Sequence, residues 1–165
     1  MKRRYRRELL IDRLEQIKKH IPGAFVGVDV IVGFPGEDRD KFRETFQFLK
    51  DLDASYYHVF SYSQRPGTPA AQMSGKVPAE EIKQRSREVQ QLAERKKQKF
   101  YRQHLGEKRK VLFENKSDNG SITGFTDNYI KVEADGNDNL QGEIRNTTLK
   151  NINSQGNVTG EVMTN

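Results

Sequence analysis

The chain has 165 residues, of which 33% are hydrophobic and 32% are charged, a composition typical of one or two soluble globular domains. It shows no transmembrane run or secretion signal, which predicts a cytoplasmic location without a membrane partner, and the absence of cysteine excludes disulfides, a cysteine nucleophile and an iron–sulfur or zinc–thiolate site made by this chain alone. The formal net charge of +6 favours a polyanionic partner.

The first predicted element is a helix from about Arg6 to Lys19, because apolar residues recur there at helical intervals. Its apolar positions are Leu9, Leu10, Leu14 and Ile17, and the pair Pro22-Gly23 ends the pattern. The basic segment Lys2–Arg7 leads into this helix, and its side chains could neutralise the phosphates of a nucleic acid.

An apolar run at Phe25–Val32 predicts a parallel strand that is covered on both faces. Asp29 interrupts the run, and a carboxylate inside such a strand is expected to need a hydrogen-bond donor, a cation or a ligand. The next segment, Gly33–Glu37, is called the glycine loop below; its glycines permit backbone conformations in which a ligand can approach closely. On these residues alone, the loop could contact a phosphate, a cofactor or nothing, and in the last case it would only shape a tight turn.

A second helix and a second strand are predicted after the glycine loop. Acidic residues favour a helix start at positions 37 to 40, and the apolar positions of the helix are Phe42, Phe46, Leu49 and Leu52. Tyr56–Tyr62 is rich in aromatic residues and predicts a strand, which completes a βαβ unit. Two parallel strands leave both outer edges unpaired, so this unit is expected to be one piece of a larger sheet or barrel.

The segment Ser63–Pro78 contains three prolines and two glycines and is predicted to be a loop. Arg65 lies in it directly after the second strand, where a guanidinium could hold a carboxylate, a phosphate or a sulfur-bearing anion. The alternative is a surface arginine that stabilises the loop. His58 is interpreted as a strand-face or core histidine, because no second metal-ligating residue stands at a useful spacing.

A long charged helix is predicted from Ala79 to about Leu105. Its narrow apolar stripe consists of Ile82, Val89, Leu92 and Ala93. The basic run Arg95–Arg102 within it could contact RNA phosphates, or it could form an ordinary solvated helix face.

Beyond Gly106 the pattern changes to short β-rich runs separated by turn signals. The candidate strands are residues 109–114, 121–126, 129–134, 142–149 and 157–163, which together predict a small closed antiparallel β-barrel. Residues 1–106 hold 22 Lys and Arg against 14 Asp and Glu, a net charge of +8, whereas residues 107–165 hold 7 against 9, a net charge of −2. We therefore predict an α/β domain at 1–106 and a β domain at 107–165.

Taken in chain order, these segments resemble the carboxy-terminal half of the radical S-adenosylmethionine (SAM) tRNA methylthiotransferases, the MiaB/MtaB family. The resemblance covers essentially the whole chain. It is carried by Met1–Tyr5, Gly27–Glu37, Tyr62–Ala70 (YSQRPGTPA) and the terminal β module, which looks like a TRAM domain. Details at 27–29, 58–60 and 124–130 resemble the MtaB-type branch, which acts on N6-threonylcarbamoyladenosine next to the anticodon, rather than the isopentenyladenosine branch.

The resemblance implies that residues 1–106 form the late strands of a radical SAM (βα) barrel, with the glycine loop at the carboxyl end of the fifth strand. It implies that Gly33, Phe34, Pro35, Gly36 and Glu37 line the adenosyl and methionyl parts of SAM, with Asp29 or Glu37 contacting a ribose or amino group. Glu37 could instead only complement the helix dipole. Arg65 would lie near the substrate pocket.

The family's cysteines for two [4Fe–4S] clusters have no counterpart in this sequence. In the resembled enzymes these cysteines precede the position of Met1. The resemblance therefore implies a fragment that holds no catalytic or metal-binding residue, that is inactive alone, and that lacks the amino-terminal half of the same protein. Such a fragment is expected to expose apolar surface and to self-associate.

The partner implied by the resemblance is tRNA, with RNA contacts predicted at Arg3, Arg4, Phe125, Tyr129 and Lys131. The two aromatic rings would stack on bases; the alternative interpretation places both rings in the barrel core. The alternative function is a non-catalytic RNA-binding protein, complete as it stands, that uses the barrel and the basic helices.

Overall fold

The computed structural model describes residues 6–116, 120–136 and 140–163, so that Arg3 and Arg4 lie outside the described residues. The chain forms two compact units, one up to Lys97 and one from Gln98 onward. Among the described helices, none is long and apolar enough to cross a membrane.

The first unit contains a parallel βαβ arrangement, as predicted. Its elements are α1 (Arg7–His20), β1 (Gly27–Val32), α2 (Arg39–Asp51), β2 (Tyr56–Ser61), a short 3₁₀ helix (Pro69–Gln72) and the first part of α3 (Ala79–Gln103). β1 and β2 pair in parallel from Gly27 opposite Tyr56 to Val32 opposite Ser61. The 3₁₀ helix lies inside the segment Ser63–Pro78, for which the sequence predicts only a loop. The helix α2 begins after Asp38, whose side chain caps it by accepting a 2.9 Å hydrogen bond from the Lys41 amide.

Helices cover only one face of this sheet. The core residues are Val30, Val32 and Tyr57 of the sheet, Leu14 of α1, Phe42 and Leu49 of α2, and Val89, Leu92 and Ala93 of α3. On the opposite face Asp29, His58 and Phe60 are exposed. The prediction of a strand covered on both faces is therefore wrong for this chain. Water reaches the Asp29 carboxylate, which needs no buried partner.

The apolar stripe predicted for α1 is only partly buried. Leu14 is buried, but Leu9 and Ile17 are 43% and 38% exposed. Leu10 is partly buried against the core, so α1 contacts the unit along the line of Leu10 and Leu14 and turns the other apolar side chains outward.

The second unit is a closed five-stranded barrel. Its strands are β3 (Lys108–Lys116), β4 (Ser121–Thr126), β5 (Lys131–Asp135), β6 (Ile144–Ile152) and β7 (Val158–Val162), in the spatial order β3-β4-β5-β7-β6. Alternate residues fill the interior, among them Val111, Phe113, Ile122, Val132, Leu149 and Val158, all fully buried.

The predicted closed barrel is confirmed, but its description as antiparallel is wrong in one pair. β5 and β7 are parallel, with Val132 opposite Val158, whereas the other four pairs are antiparallel. The reason is parity: strand directions can alternate around a closed ring only when the number of strands is even. A closed barrel of five strands must therefore contain a parallel pair.

Candidate functional site

A cleft of about 590 Å³ opens at the carboxyl ends of β1 and β2. Its walls include Ile31, Phe34, Phe60, Tyr62, Arg65 and Pro69. Parallel strands place their carboxyl ends at one edge of a sheet, which is where ligands bind in α/β folds. The structure thus brings together Phe34 of the glycine loop and Arg65, which the sequence placed in separate segments.

The cleft combines aromatic surface with an available cation. The rings of Phe34 and Tyr62 meet edge to face with centroids 5.2 Å apart, and Phe60 is 52% exposed. Arg65 uses its carbonyl oxygen to accept a 2.8 Å bond from the Thr68 hydroxyl, while its guanidinium has no partner among the described residues. The guanidinium can therefore meet an anion in the cleft.

Tyr62 lines this cleft and carries an unsatisfied polar atom. Its hydroxyl is buried and has no hydrogen-bond partner in the described part of the chain. A buried hydroxyl without a partner costs about 1–3 kcal/mol, which a bound polar group could recover. Sequence reasoning did not select Tyr62, although it directly follows the second strand and precedes Arg65 by three residues.

The amides of the glycine loop are already used inside the protein. Gly33 N–H donates to Glu37 Oε2 at 2.7 Å, Gly36 N–H to the Gly75 carbonyl at 2.8 Å, and Glu37 N–H to the Phe34 carbonyl at 2.9 Å, while Pro35 has no N–H. A phosphate cradle needs several free amides that converge on one point. The loop does not offer them, which argues against the phosphate alternative left open by the sequence.

Arg85 of α3 holds Glu37 through hydrogen bonds to its carboxylate and its carbonyl. Arg85 Nη1 donates to Glu37 Oε2 and to the Glu37 carbonyl, each at 2.7 Å, and Nη2 donates to Glu81 Oε1 at 2.9 Å. Burial alone would lower the pKa of Arg85, but hydrogen bonds to Glu37 and Glu81 outweigh it and raise the pKa above its usual value. One oxygen of the Glu37 carboxylate is therefore committed to the loop.

Sequence reasoning missed Arg85. A signal was available, because Arg85 stands three residues after Ile82 and four before Val89, on the apolar stripe that was predicted for this helix. A charged residue at a stripe position is expected to be buried, and a buried arginine needs partners.

Asp29 lines a second, shallower cleft of about 390 Å³ beside β1. This cleft is also lined by Phe34, Arg7 and Phe48, and the Arg7 guanidinium lies over the Phe48 ring, 5.1 Å from the centroid. The glycine loop therefore contributes the same ring to both clefts.

The barrel exposes the two aromatic residues that the sequence proposed for RNA. Phe125 is 37% and Tyr129 is 69% exposed, and their ring centroids are 6.2 Å apart, so the interpretation that places them in the core is wrong. Leu112 stands opposite Phe125 in the strand register and is 39% exposed. We call Leu112, Phe125 and Tyr129 the aromatic patch; Lys131 pairs with Phe125 across β4 and β5 at its border.

The sequence predicts Tyr129 at the start of a strand, but in the structure Tyr129 lies in a turn before β5. The turn Thr126–Ile130, called the Tyr129 turn below, gives Tyr129 a φ of 61°, and Tyr129 is the only non-glycine residue with positive φ in the described ranges. Such a backbone costs about 1–3 kcal/mol and persists only where its surroundings enforce it.

Hydrogen bonds between neutral groups hold the backbone of this turn, and its Asp127 side chain also forms a 2.9 Å ion pair with Arg109. Tyr129 N–H donates to the Thr126 carbonyl at 3.1 Å, and Ile130 N–H donates to the Thr126 hydroxyl at 2.9 Å. The hydroxyl of buried Tyr101, near the end of α3, donates to the Tyr129 carbonyl at 3.4 Å and accepts from Lys131 N–H at 3.1 Å. Tyr101 thus spans the turn and the first residue of β5.

The basic run of α3 is partly engaged within the protein. Lys96 donates to the Leu52 carbonyl, and Lys97 forms a 2.8 Å ion pair with Glu94. Arg95 and Lys99 are exposed. The described residues contain no group of three or more His, Asp or Glu side chains that could hold a metal ion.

The sequence is similar to curated tRNA methylthiotransferases. It is 37% identical over 148 residues to the threonylcarbamoyladenosine tRNA methylthiotransferase MtaB of Bacillus subtilis, covering 87% of this chain and 33% of that protein. It is 32% identical over 164 residues to the tRNA-2-methylthio-N(6)-dimethylallyladenosine synthase of Aliarcobacter butzleri, covering 99% and 37%. The MtaB of Aquifex aeolicus is 37% identical over 138 residues, covering 82% and 32%. The chain spans about a third of the length of these relatives, and no family model matches it.

Proposed function

This chain matches a carboxy-terminal part of the MtaB and MiaB family of tRNA methylthiotransferases, and we propose that it supplies such an enzyme with one wall of a SAM site and with an RNA-binding barrel. The homologues support methylthiolation of tRNA as the activity of the whole protein. Our finer proposal is that the substrate is N6-threonylcarbamoyladenosine, since both MtaB relatives named above are 37% identical to the chain.

The observation that carries the SAM proposal is the cleft in which Phe34 and Arg65 meet. The rings of Phe34 and Phe60 suit a flat heterocycle such as adenine, and Arg65 suits a carboxylate such as that of the methionyl group. The Tyr62 hydroxyl, buried and without a partner, could give one further hydrogen bond if its side chain turns toward the ligand. SAM would supply the methyl group and the radical chemistry when bound, while these residues bind and orient it.

The two [4Fe–4S] clusters of the proposed enzyme do not fit this chain, because its sequence contains no cysteine. Their ligands would come from an amino-terminal part of the same protein. We propose that the chain is inactive without that part. Further barrel strands would pair with the open edges of β1 and β2, which would turn the sheet face with Ile31 and Phe60 toward the barrel interior; in isolated chains that exposed face is where association would occur.

A titration tests the SAM site. SAM is added to the isotope-labelled chain while amide and side-chain resonances are followed, with Arg65→Met compared with Arg87→Met, an exposed arginine on α3 away from the cleft. We expect shifts at Phe34, Phe60 and Arg65 of the unsubstituted chain; Arg65→Met should abolish those at Phe34 and Phe60, and Arg87→Met should preserve all three. Shifts confined to other residues would refute the assignment.

The aromatic patch supports RNA binding by the barrel, since exposed rings beside a lysine are suited to stack on unpaired bases. Loss of one stacking ring weakens single-strand binding by about 1–3 kcal/mol, roughly 5- to 150-fold. We expect Tyr129→Ala and Phe125→Ala to weaken binding of an anticodon stem-loop within that range. Met163→Ala, at a comparably exposed apolar residue elsewhere on the barrel, serves as the control.

The same patch also favours the second candidate function, a non-catalytic RNA-binding protein. The length of the native gene product separates the two. A product of no more than 165 residues would contradict the enzyme proposal, whereas a longer product with an iron–sulfur absorption band would support it.

A further inference from the structure

The glycine loop is pressed against α3. Gly33 has a φ of +80°, and a Cβ added there would lie 2.5 Å from Ile82 Cγ1. A residue with a Cβ would therefore clash with Ile82 in this backbone position, which glycine tolerates. Ile82 precedes Arg85 by one helical turn, which places both side chains on the same face of α3. The start of α3 is therefore the surface on which the loop rests.

Glu37 closes the loop upon itself. Its Oε2 accepts from the Gly33 amide at 2.7 Å and from Arg85 at 2.7 Å, so the end of β1 is tied directly to the start of α2. Phe34, the residue that lines both clefts, lies inside this closed segment. The Glu37 carboxylate is therefore bonded directly to the backbone next to Phe34.

Arg85 fixes the Glu37 carboxylate from behind. Only 5% of its side chain is exposed, its guanidinium carbon is 5.1 Å from the centroid of Phe42, and Glu81 holds its second nitrogen. A planar fork that bonds two carboxylates and a carbonyl while packing on a ring cannot be reproduced by a lysine. The guanidinium thus has one enforced position.

We propose that Arg85 is a positioning residue of the candidate SAM site, which acts through the Glu37 carboxylate to hold Gly33 and Phe34 at the cleft. The identity of the ligand rests on the function proposed above, whereas the holding of the loop does not. The proposal assigns the Glu37 carboxylate to the loop itself, a role that differs from both the cofactor contact and the helix-dipole role considered from the sequence.

Hydrogen exchange of the Gly33 amide in the full chain tests the first step. Arg85→Met and Glu37→Gln are expected to accelerate this exchange by about tenfold or more, the factor that corresponds to about 1.4 kcal/mol. Arg87→Met, on the exposed side of the same helix, is the matched control and should leave the rate unchanged.

The double variant separates positioning from general support of the fold. If Arg85 acts through Glu37, adding Arg85→Met to the Glu37→Gln variant should raise the exchange rate of the Gly33 amide only slightly. Fully additive effects of the two substitutions on the logarithm of that rate would overturn the proposal. Arg85→Lys should recover less than half of the lost protection in logarithmic terms. If thermal melting shows that Arg85→Met does not fold, Glu37→Gln decides, and an unchanged Gly33 exchange rate in that variant refutes the proposal that the Glu37 carboxylate holds the loop.

SAM binding tests the second step. We expect Arg85→Met to weaken SAM binding by about tenfold without loss of the melting transition at the working temperature, since a misplaced Phe34 loses its contact with the ligand. Faster Gly33 exchange with unchanged SAM affinity would show that Arg85 is merely structural. If the unsubstituted chain does not bind SAM, the proposed function of the cleft fails, and Gly33 exchange still decides whether Arg85 holds the loop.

Discussion

The glycine loop of the first unit and the Tyr129 turn of the second both use left-handed backbone to present an aromatic ring, but they stabilise it with different chemistry. In the glycine loop, glycines adopt the unusual conformation, and a buried ion pair between Arg85 and Glu37 holds it. In the Tyr129 turn, the tyrosine itself adopts that conformation, and neutral groups of Thr126 and Tyr101 bond the turn backbone, while the exposed Asp127 of the same turn forms a 2.9 Å ion pair with Arg109 at the surface.

This difference determines whether one substitution in a segment changes its backbone conformation, its aromatic contact surface or both. In the glycine loop the ring belongs to Phe34, whereas the left-handed positions are glycines. The backbone conformation of the loop and its aromatic contact surface can therefore be altered by separate substitutions. In the Tyr129 turn both belong to one residue, and a single substitution changes both. Strain and ligand contact are therefore separable in the first unit and linked in the second.

The largest effect is expected at Gly33, where alanine would meet two obstacles at once. The left-handed backbone costs about 1–2 kcal/mol for a residue with a Cβ. The clash at 2.5 Å with Ile82 adds about 1–3 kcal/mol of overpacking. We expect Gly33→Ala to lower the free energy of unfolding of the first unit by the sum of these terms, measured from exchange of the β1 amides in a denaturant series.

Gly36→Ala is the matched control for that measurement. Gly36 has a φ of +84° but open space where a Cβ would lie, so only the backbone cost applies. Equal losses in the free energy of unfolding for the two alanine variants would show that the Ile82 side chain moves aside for the new Cβ. The loop would then be held by its ion pair alone.

The next effect is expected from Tyr101→Phe, which removes the hydroxyl that bridges the Tyr129 carbonyl and the Lys131 amide. Both bonds are only partly buried, so the loss of these partners is expected to cost about 1 kcal/mol, the low end of the range of about 1–3 kcal/mol for fully buried groups. We expect the barrel to lose about this much stability and the Tyr129 amide to exchange faster, as measured by hydrogen exchange. Normal protection at Tyr129 would mean that Thr126 suffices to hold the turn.

The order of elements could be predicted from the sequence because their apolar periodicity is strong. Residues Val89, Leu92 and Ala93 of the α3 stripe are buried as expected, and the five strands appear in their predicted segments. The start of β5 was misplaced, since Tyr129 has high strand propensity but occupies a turn, where hydrogen bonds from Thr126 and Tyr101 override propensity.

The candidate site was less predictable, since it depends on contacts between segments far apart in sequence. The glycine loop and Arg65 could be selected from local composition, but Arg85 acts on Glu37 across 48 residues. Tyr62 and Leu112 gain their significance only from the cleft and from the strand register. The burial of β1 was overestimated because an apolar run does not reveal how many layers cover a strand.

Tyr129→Gly should separate the two roles that the turn combines. Glycine adopts positive φ freely, so the barrel is expected to keep its stability or gain up to about 1 kcal/mol in the free energy of unfolding. The same substitution removes the ring and is expected to weaken RNA binding by about 1–3 kcal/mol. Denaturant unfolding and anisotropy with an anticodon stem-loop measure the two effects, and a loss of stability would show that Tyr129 supports the barrel through packing.

The smallest expected effect concerns acid, and it tests how much one partly buried carboxylate contributes to the stability of the barrel. The pKa of Glu133 is lowered chiefly by its 3.1 Å hydrogen bond from Asn157, with Asn153 contributing at 2.8 Å. Because the folded pKa is the lower one, this stabilisation is complete above the ordinary glutamate pKa and is lost as pH falls through the folded value.

We expect Asn157→Ala to flatten the acid dependence of barrel unfolding by less than about 1 kcal/mol, because Glu133 is partly solvated. Asn151→Ala, at an exposed asparagine that does not contact Glu133, should leave the dependence unchanged. Protection of the Tyr129 amide should persist through this pH range until the barrel unfolds, since the groups that hydrogen-bond the Tyr129 backbone are a carbonyl and a hydroxyl that do not titrate there. If Tyr129 exchange instead follows the Glu133 titration, the Tyr129 turn depends on charge as the glycine loop does, and the contrast between them fails.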